Sequence, residues 1–212
     1  MSPVKHSILI ASNNAHKLQE FREIFVQFGA SNIEIVTPQA PGLAVDPDEI
    51  GETYLDNARI KARAFHHLLR KSSHRAVSVL ADDSGLEVDA LRGAPGIHSA
   101  RYHQTAPSHD GCAALLRAMA EFPAPARTAR FRAVLVLIEP DGAEHEFEGV
   151  CEGSIAFDRR GSGGFGFDPV FVVAGDTRHL AELTPEEKHR VSHRGKATQQ
   201  AIAFLQSSDT PM

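Results

Sequence analysis

The spacing of apolar residues changes repeatedly along this chain, and each change predicts an element. A β-like run from His6 to Ala11 gives way to Leu18, Phe21, Ile24, Phe25 and Phe28, which recur three and four residues apart. That spacing turns one face of a helix toward a core. Ser12-Asn13-Asn14 supplies a turn and an N-cap before the helix, and Gly29 a C-cap after it. A second strand is expected from Ile33 to Thr37, then a loop of Pro, Gly and acids from Pro38 to Glu52. A helix over Thr53 to Leu69 follows, with Leu55, Ala58, Ala62, Phe65 and Leu69 on its core face. The strand Ala76 to Ala81 is expected to end at Asp82-Asp83-Ser84-Gly85, with a separate apolar piece from Leu86 to Leu91. Gly93 to Tyr102 is expected as a loop, and His109 to Glu121 as a helix stopped by Pro123 and Pro125.

From Arg130 the period shortens. Phe131 to Ile138, the turn Pro140-Asp141-Gly142 and the alternating Glu144 to Glu148 predict an antiparallel hairpin. A glycine-rich segment from Gly161, a strand Val170 to Val173 and a last helix starting at Ser192 or His193 complete the pattern. Strands alternating with helices predict an α/β fold. No linker divides the chain, so one domain over residues 1–206 is expected, with the hairpin region, roughly 125–160, as a second lobe on a shared sheet. Residues 207–212 are expected as a frayed tail.

Composition narrows the class. The 22 Lys and Arg against 27 Asp and Glu give a net charge of −5, and 42% of residues are hydrophobic, a globular profile that excludes disorder as the main state. Cys112 and Cys151 lie far apart with no CxxC pair, which excludes a zinc ribbon or disulfide scaffold. No apolar run is long enough to span a bilayer, and the N-terminal run Ile8-Leu9-Ile10 is too short for a signal peptide. The expectation is a cytoplasmic protein with no membrane partner, and the acidic balance argues against a nucleic-acid binder.

Five segments carry candidate chemistry. Ser12-Asn13-Asn14-Ala15-His16-Lys17 places a small polar turn and a lysine at a helix N-terminus, a setting that suits phosphate. Asp46, Asp48, Glu49 and Glu52 precede the next helix, where acids favour the dipole and one could help hold a divalent metal. Asn57 and Lys61, four apart, share a face of that helix. Asp82 and Asp83 follow a buried strand and need exposure, a cation or a metal. The segment Gly161 to Asp168 alternates Gly with Phe, allowing close backbone approach and ring stacking, but is no dinucleotide fingerprint. Lys188 to Lys196 is the densest cation cluster, near a helix N-terminus, which suggests an anionic partner.

Taken together, ASNNAHKLQEF, GETYLDNARIKARAF, LADDSGLEVDAL, GAPGIHSARY, GSGGFGFDPVF and AELTPEEKHRVSHRGKA resemble, in order and from Ile8 to about Ala203, the inosine triphosphate pyrophosphatase family. Its bacterial members are dITP/XTP pyrophosphatases. The resemblance implies a long mixed central sheet flanked by helices, two lobes with a deep substrate cleft between them, and a homodimer. It implies Mg²⁺-dependent hydrolysis of ITP, dITP and XTP to the monophosphate and pyrophosphate, with Mn²⁺ as an alternative metal. By the same resemblance Ser12, Asn14 and Lys17, with Asn13, Ala15 and His16 between them, would hold the triphosphate. Asp83 would bind the metal and help activate water, Glu49 would be a second metal acid, and Lys61, Ser84 and Lys188 would touch substrate. Phe165, Gly166, Phe167 and Asp168 would lie against base and sugar, and His193 and Arg194 would read the base. Asn13 stands where relatives often have Gly, Phe167 where Tyr is usual, and His189 where a smaller residue is common. Two other outcomes stay open on the residues alone: a different triphosphate specificity, and a nucleotide sensor that binds without turnover.

Overall fold

The structure, a computed structural model, describes residues 6–38, 43, 45–105 and 110–208 of the 212. Its elements run β1 (Ser7–Ile10), α1 (Ala15–Gln27), β2 (Glu34–Val36), α2 (Tyr54–Arg70), β3 (Ser78–Val88), α3 (Gly111–Ala118), β4 (Thr128–Ile138), β5 (Glu144–Ile155), β6 (Phe171–Val173), α4 (Pro185–Val191) and α5 (His193–Ser208). The strands are hydrogen-bonded in the order β2-β1-β3-β4-β5-β6. β1 is parallel to β2 and to β3, and β6 is antiparallel to β5, so the sheet is mixed as expected.

The chain divides into two compact units. Unit 1 lies within residues 1–83, 134–148 and 197–212, and unit 2 within 84–133 and 149–196. The facing ends of β4 and β5 group with unit 1, where Arg59 and Arg63 of α2 form ion pairs with Glu144 and Glu146.

In unit 1, α1 starts at Asn14, whose side-chain oxygen accepts from the N–H groups of His16 and Lys17. It ends with Gly29 at φ +75°, a left-handed position that costs glycine little. Ala58, Ala62, Phe65 and Leu69 of α2 pack on Leu9, Ala11, Val79, Ala81, Val136 and Ile138. The connection β1-α1-β2 leaves β1 on one side, and β2-α2-β3 returns on the other. β1 therefore sits at a topological switch point, where the carboxyl ends of strands commonly hold ligands.

The expected strand end at Asp82 is corrected by the structure. β3 runs unbroken through Asp82-Asp83-Ser84-Gly85 to Val88. Carboxylates inside a strand are tolerated when cations meet them, and here Lys17 lies 2.9 Å from Asp82 and Lys61 3.0 Å from Asp83. Gly93 to Tyr102 is not all loop, since 3₁₀ turns cover Gly96–Thr105. The third helix is shorter than expected, Gly111–Ala118 with Asp110 as its cap; His109 lies outside the described residues. α5 runs to Ser208, into the segment expected as a tail, and residues 209–212 lie outside the described residues.

Unit 2 has its own apolar core, including Leu86, Val88, Leu115, Met119, Phe131, Phe167, Val170 and Phe171. Its most buried cation, Arg127, donates to the carbonyls of Ile155, Met119, Phe122 and Ala156 at 2.6–3.2 Å. This ties the segment after α3 to the end of β5. Cys112 and Cys151 are free thiols, and burial pushes both up to about 11, which keeps them unreactive. Among the described residues, no helix is long and apolar enough to cross a membrane.

Candidate active site

Unit 1 gathers the expected phosphate turn, the acids and two lysines. Successive residues of a strand face opposite sides of a sheet. Asp83 shares the face of Val79 and Ala81, which is packed against α2. Asp82 points the other way, toward Lys17 on α1. The two adjacent carboxylates therefore do not form one two-acid site. Asp83 instead converges with Glu49, because the ammonium of Lys61 lies 3.0 Å from Asp83 Oδ1 and 3.2 Å from Glu49 Oε1. A single cation position thus faces two carboxylates that are 34 residues apart in the chain (83 − 49).

The electrostatics of this cluster are tight. Burial alone would lower the pKa of Lys61, but the carboxylates of Asp83, Glu49 and Asp82 outweigh it and hold the ammonium above its usual value. Burial raises Asp83 above the ordinary carboxylate range, against the opposing pull of Lys61 and Lys17. Lys17, Lys61, Glu49, Asp82 and Asp83 carry two positive and three negative formal charges, a net of −1 that a divalent cation would reverse.

The turn before α1 is partly committed. Asn13, Asn14, Ala15 and His16 are exposed, and Ser12 is half-buried. Asn14 Oδ1 already occupies the N–H groups of His16 and Lys17, and Ser12 Oγ accepts from the N–H of Asn14. Fewer backbone amides of this turn are left to meet an anion. Asn13, where a glycine was noted in relatives, holds the carbonyl of Val45 through its Nδ2 at 3.2 Å.

Unit 2 gathers the remaining expected residues. Asp168, 3% exposed, accepts from the N–H of Phe165 at 2.8 Å and from Lys188 Nζ at 2.7 Å. Gly164 sits at φ +68°, and a Cβ there would fall 1.9 Å from Asp168 Oδ2, so only glycine lets the segment close over this carboxylate. Lys188 Nζ and the Arg194 guanidinium lie 5.2 and 5.5 Å from the centre of the half-buried Phe165 ring. Arg194 Nη2 also donates to Ser84 Oγ at 2.9 Å. His193 is buried with its ring flat on Phe131, the centroids 4.8 Å apart.

Phe165 and Phe167 part company. Phe167 belongs to the apolar core, edge-on to Tyr102, with its centroid 6.0 Å away. Its ring is scaffold, and Phe165 is the ring that keeps an accessible surface. Gly166 has φ +63° and accepts from the Cys112 thiol through its carbonyl. The exchange of Tyr for Phe at 167 thus falls on a core position, where a hydroxyl would need a buried partner.

Sequence reasoning expected a cation or a metal at Asp82 without naming Lys17 as its partner, and left Asn57 out of the acid site. Asn57 donates to Asp83 Oδ2 at 3.4 Å and accepts from the N–H of Gly51 at 2.8 Å. Its position four residues before Lys61 on α2 was the only available signal.

Comparison with known proteins follows the same segments. The family model described as "Ham1 family" matches residues 8–204. A dITP/XTP pyrophosphatase of Corynebacterium diphtheriae is 42% identical over 209 residues, covering 96% of this chain and 98% of that protein. One of Methylococcus capsulatus is 45% identical, covering 92% and 93%. Among solved structures, the Ham1 protein of Staphylococcus aureus superposes with a TM-score of 0.79 at 34% identity, covering 95% of this chain and 99% of that one. A HAM1 protein from Coxiella burnetii gives the same TM-score, 0.79, at 36% identity. With the family model matched over nearly its whole length and relatives this similar, the chain belongs to the Ham1 family.

Proposed function

We propose that this protein is a metal-dependent nucleoside triphosphate pyrophosphatase. It hydrolyses ITP, dITP and XTP to the monophosphate and pyrophosphate, and so clears deaminated purines from the nucleotide pool. The relatives that match more than nine-tenths of the chain carry the name dITP/XTP pyrophosphatase. The observation that carries the reading is the convergence of Asp83, Glu49 and Lys61 beside the switch-point strand, with Lys17 held by Asp82 on the other face.

Mg²⁺ fits this donor set. It binds one or two carboxylates and completes its shell with phosphate oxygens and water. Asp83 and Glu49 come together on the Lys61 ammonium, and an ion held by these two acids would sit beside it. Asp83 and Glu49 would hold the ion, which when bound offsets phosphate charge and polarises the reacting phosphoryl group.

The side chains divide the remaining work. Lys17 and Lys61 supply fixed positive charge for the triphosphate and for the negative charge that builds on the pyrophosphate leaving group. The Asp83 carboxylate accepts a proton from the water that attacks the α-phosphorus. Phe165 offers a face for the purine, flanked by Lys188 and Arg194. A donor such as Arg194 meets the O6 of a 6-oxo purine favourably and the 6-amino group of adenine unfavourably. Mismatched polar pairing of that kind discriminates by up to about 10⁴-fold. The protein works as a homodimer, by its resemblance to the pyrophosphatase family, and in the cytoplasm, by the sequence reading of its N-terminal run.

The test is product analysis with Mg²⁺ and ITP, XTP, GTP or ATP in parallel. IMP and XMP with pyrophosphate, and little GMP or AMP, are expected. IDP with orthophosphate would place cleavage at the wrong bond and refute the reading, as would ITP binding without turnover.

A further inference from the structure

We propose that Asn57, through Gly51, is a positioning residue for the acid pair: it fixes the orientation of the Asp83 carboxylate and ties down the loop that carries Glu49. This rests on the reading of Asp83 and Glu49 as the metal-holding acids of a pyrophosphatase. Asn57 is 1% exposed, in the second turn of α2. Its amide has one orientation consistent with its neighbours. Oδ1 faces a donor, the N–H of Gly51 at 2.8 Å, and Nδ2 faces an acceptor, Asp83 Oδ2 at 3.4 Å. Flipping it would set donor against donor and acceptor against acceptor.

The carboxylate of Asp83 is thereby held at both oxygens from one helix. Oδ1 takes Lys61 Nζ at 3.0 Å and Oδ2 takes Asn57. Residues four apart on a helix lie on one face, so a single rigid element sets the plane of the group. The other end of the amide secures the loop. Glu49 is two residues from Gly51 and is 35% exposed at its side chain, so Lys61 alone gives it little order. The Gly51 N–H anchors the loop backbone to α2 two residues from Glu49. Gly51 has no room for a side chain. A Cβ there would lie 2.5 Å from Asp56 Cβ, 2.8 Å from Asn57 Oδ1 and 3.0 Å from the Asn57 nitrogen. The absence of a side chain is what lets the loop reach the amide.

The test uses the full chain and four variants: Asn57→Ala, Asn57→Asp, Gly51→Ala and the double alanine variant. Partners that orient ligating groups are worth about 10- to 100-fold in metal affinity or activity. Asn57→Ala should lower kcat for ITP by a factor in that range, weaken Mn²⁺ binding measured by electron paramagnetic resonance without nucleotide, and expose the Gly51 amide to fast hydrogen exchange. KM for ITP should change by less than about threefold, because the contact is not with substrate. Asn57→Asp keeps an acceptor for Gly51 but sets a carboxylate against Asp83. It should preserve Gly51 protection while losing Mn²⁺ affinity and kcat. Gly51→Ala should reproduce the Asn57→Ala defect, and the double variant should be no worse than the weaker single, as expected for one shared contact. Unchanged Mn²⁺ binding in both Asn57 variants would overturn the inference, even if Asn57→Ala also loses stability. A wild-type protein that binds Mn²⁺ in an Asn57-dependent way but releases no pyrophosphate would instead sink the function reading alone.

Discussion

Replacing Lys61 by Met removes the cation shared by Asp83 and Glu49 while keeping most of the side-chain volume. The ammonium lies 3.0 Å from one carboxylate and 3.2 Å from the other. At an effective dielectric constant of about 20, each contact corresponds to about 5 kcal/mol of Coulomb attraction. Removing Lys61 also removes the desolvation cost of its own burial, several kcal/mol for an ion. Glu49 is 35% exposed at its side chain and turns to water when the lysine is gone, so its share is small. Asp83 cannot do so. It is 5% exposed, and once Lys61 is gone it keeps the long contact from Asn57 and the more distant charge of Lys17. Breaking a buried pair from one side costs about 3–5 kcal/mol, and that figure applies to the Asp83 half. Urea denaturation of Lys61→Met should therefore show a loss of about 3 kcal/mol or more, a large part of a typical folding free energy of about 5–15 kcal/mol. Glu49→Gln, measured alongside, should lose less than about 1 kcal/mol. A loss below about 1 kcal/mol for Lys61→Met, or equal losses for the two variants, would show that Asp83 is not held by this pair.

Three further outcomes follow from the same geometry. Asp83→Asn should lower turnover of ITP by about 10²–10⁴-fold, the usual worth of a positioned acid or base, with an unchanged circular dichroism spectrum; near-normal activity would remove Asp83 from the mechanism. Phe165→Ala should raise KM for ITP with little change in melting temperature. Phe167→Ala should do the reverse and cost about 3–5 kcal/mol, since only Phe167 lies in the core of unit 2, and the two are told apart by pairing steady-state kinetics with thermal melts. Arg127→Met strips four carbonyls of a guanidinium donor and should destabilise the fold by about 4 kcal/mol in urea titration, with residual folded protein keeping its KM.

Much of unit 1 was legible because its signals are local. The face Leu18, Phe21, Ile24 and Phe25, the Asn14 cap and the Gly29 stop are all set within one helix length, and each appears as expected. The six motifs in order pointed to the family that the comparisons bear out. The path of the chain at Asp82-Asp83-Ser84-Gly85 was not legible. Locally that tetrapeptide favours a turn, yet it continues a strand because Lys17 and Lys61, 65 and 22 residues away (82 − 17, 83 − 61), neutralise its acids.

The sequence by itself thus determined the α/β class, the first two helices and the family, but not the run of β3 through Asp82-Asp83-Ser84-Gly85 or the helix α4. Only the tertiary structure decided how the side chains are shared out. Strand alternation sends Asp82 to Lys17 and Asp83 to Lys61, so two neighbouring acids serve different partners. Packing buries Phe167 and leaves Phe165 accessible, although the two rings are separated by a single glycine. Helix α2 brings Asn57 between Gly51 and Asp83. Each of these depends on which elements meet in space. A local pattern of apolar and polar residues fixes the face a side chain occupies, and distant segments of the chain supply the charge, donor or ring that meets it there.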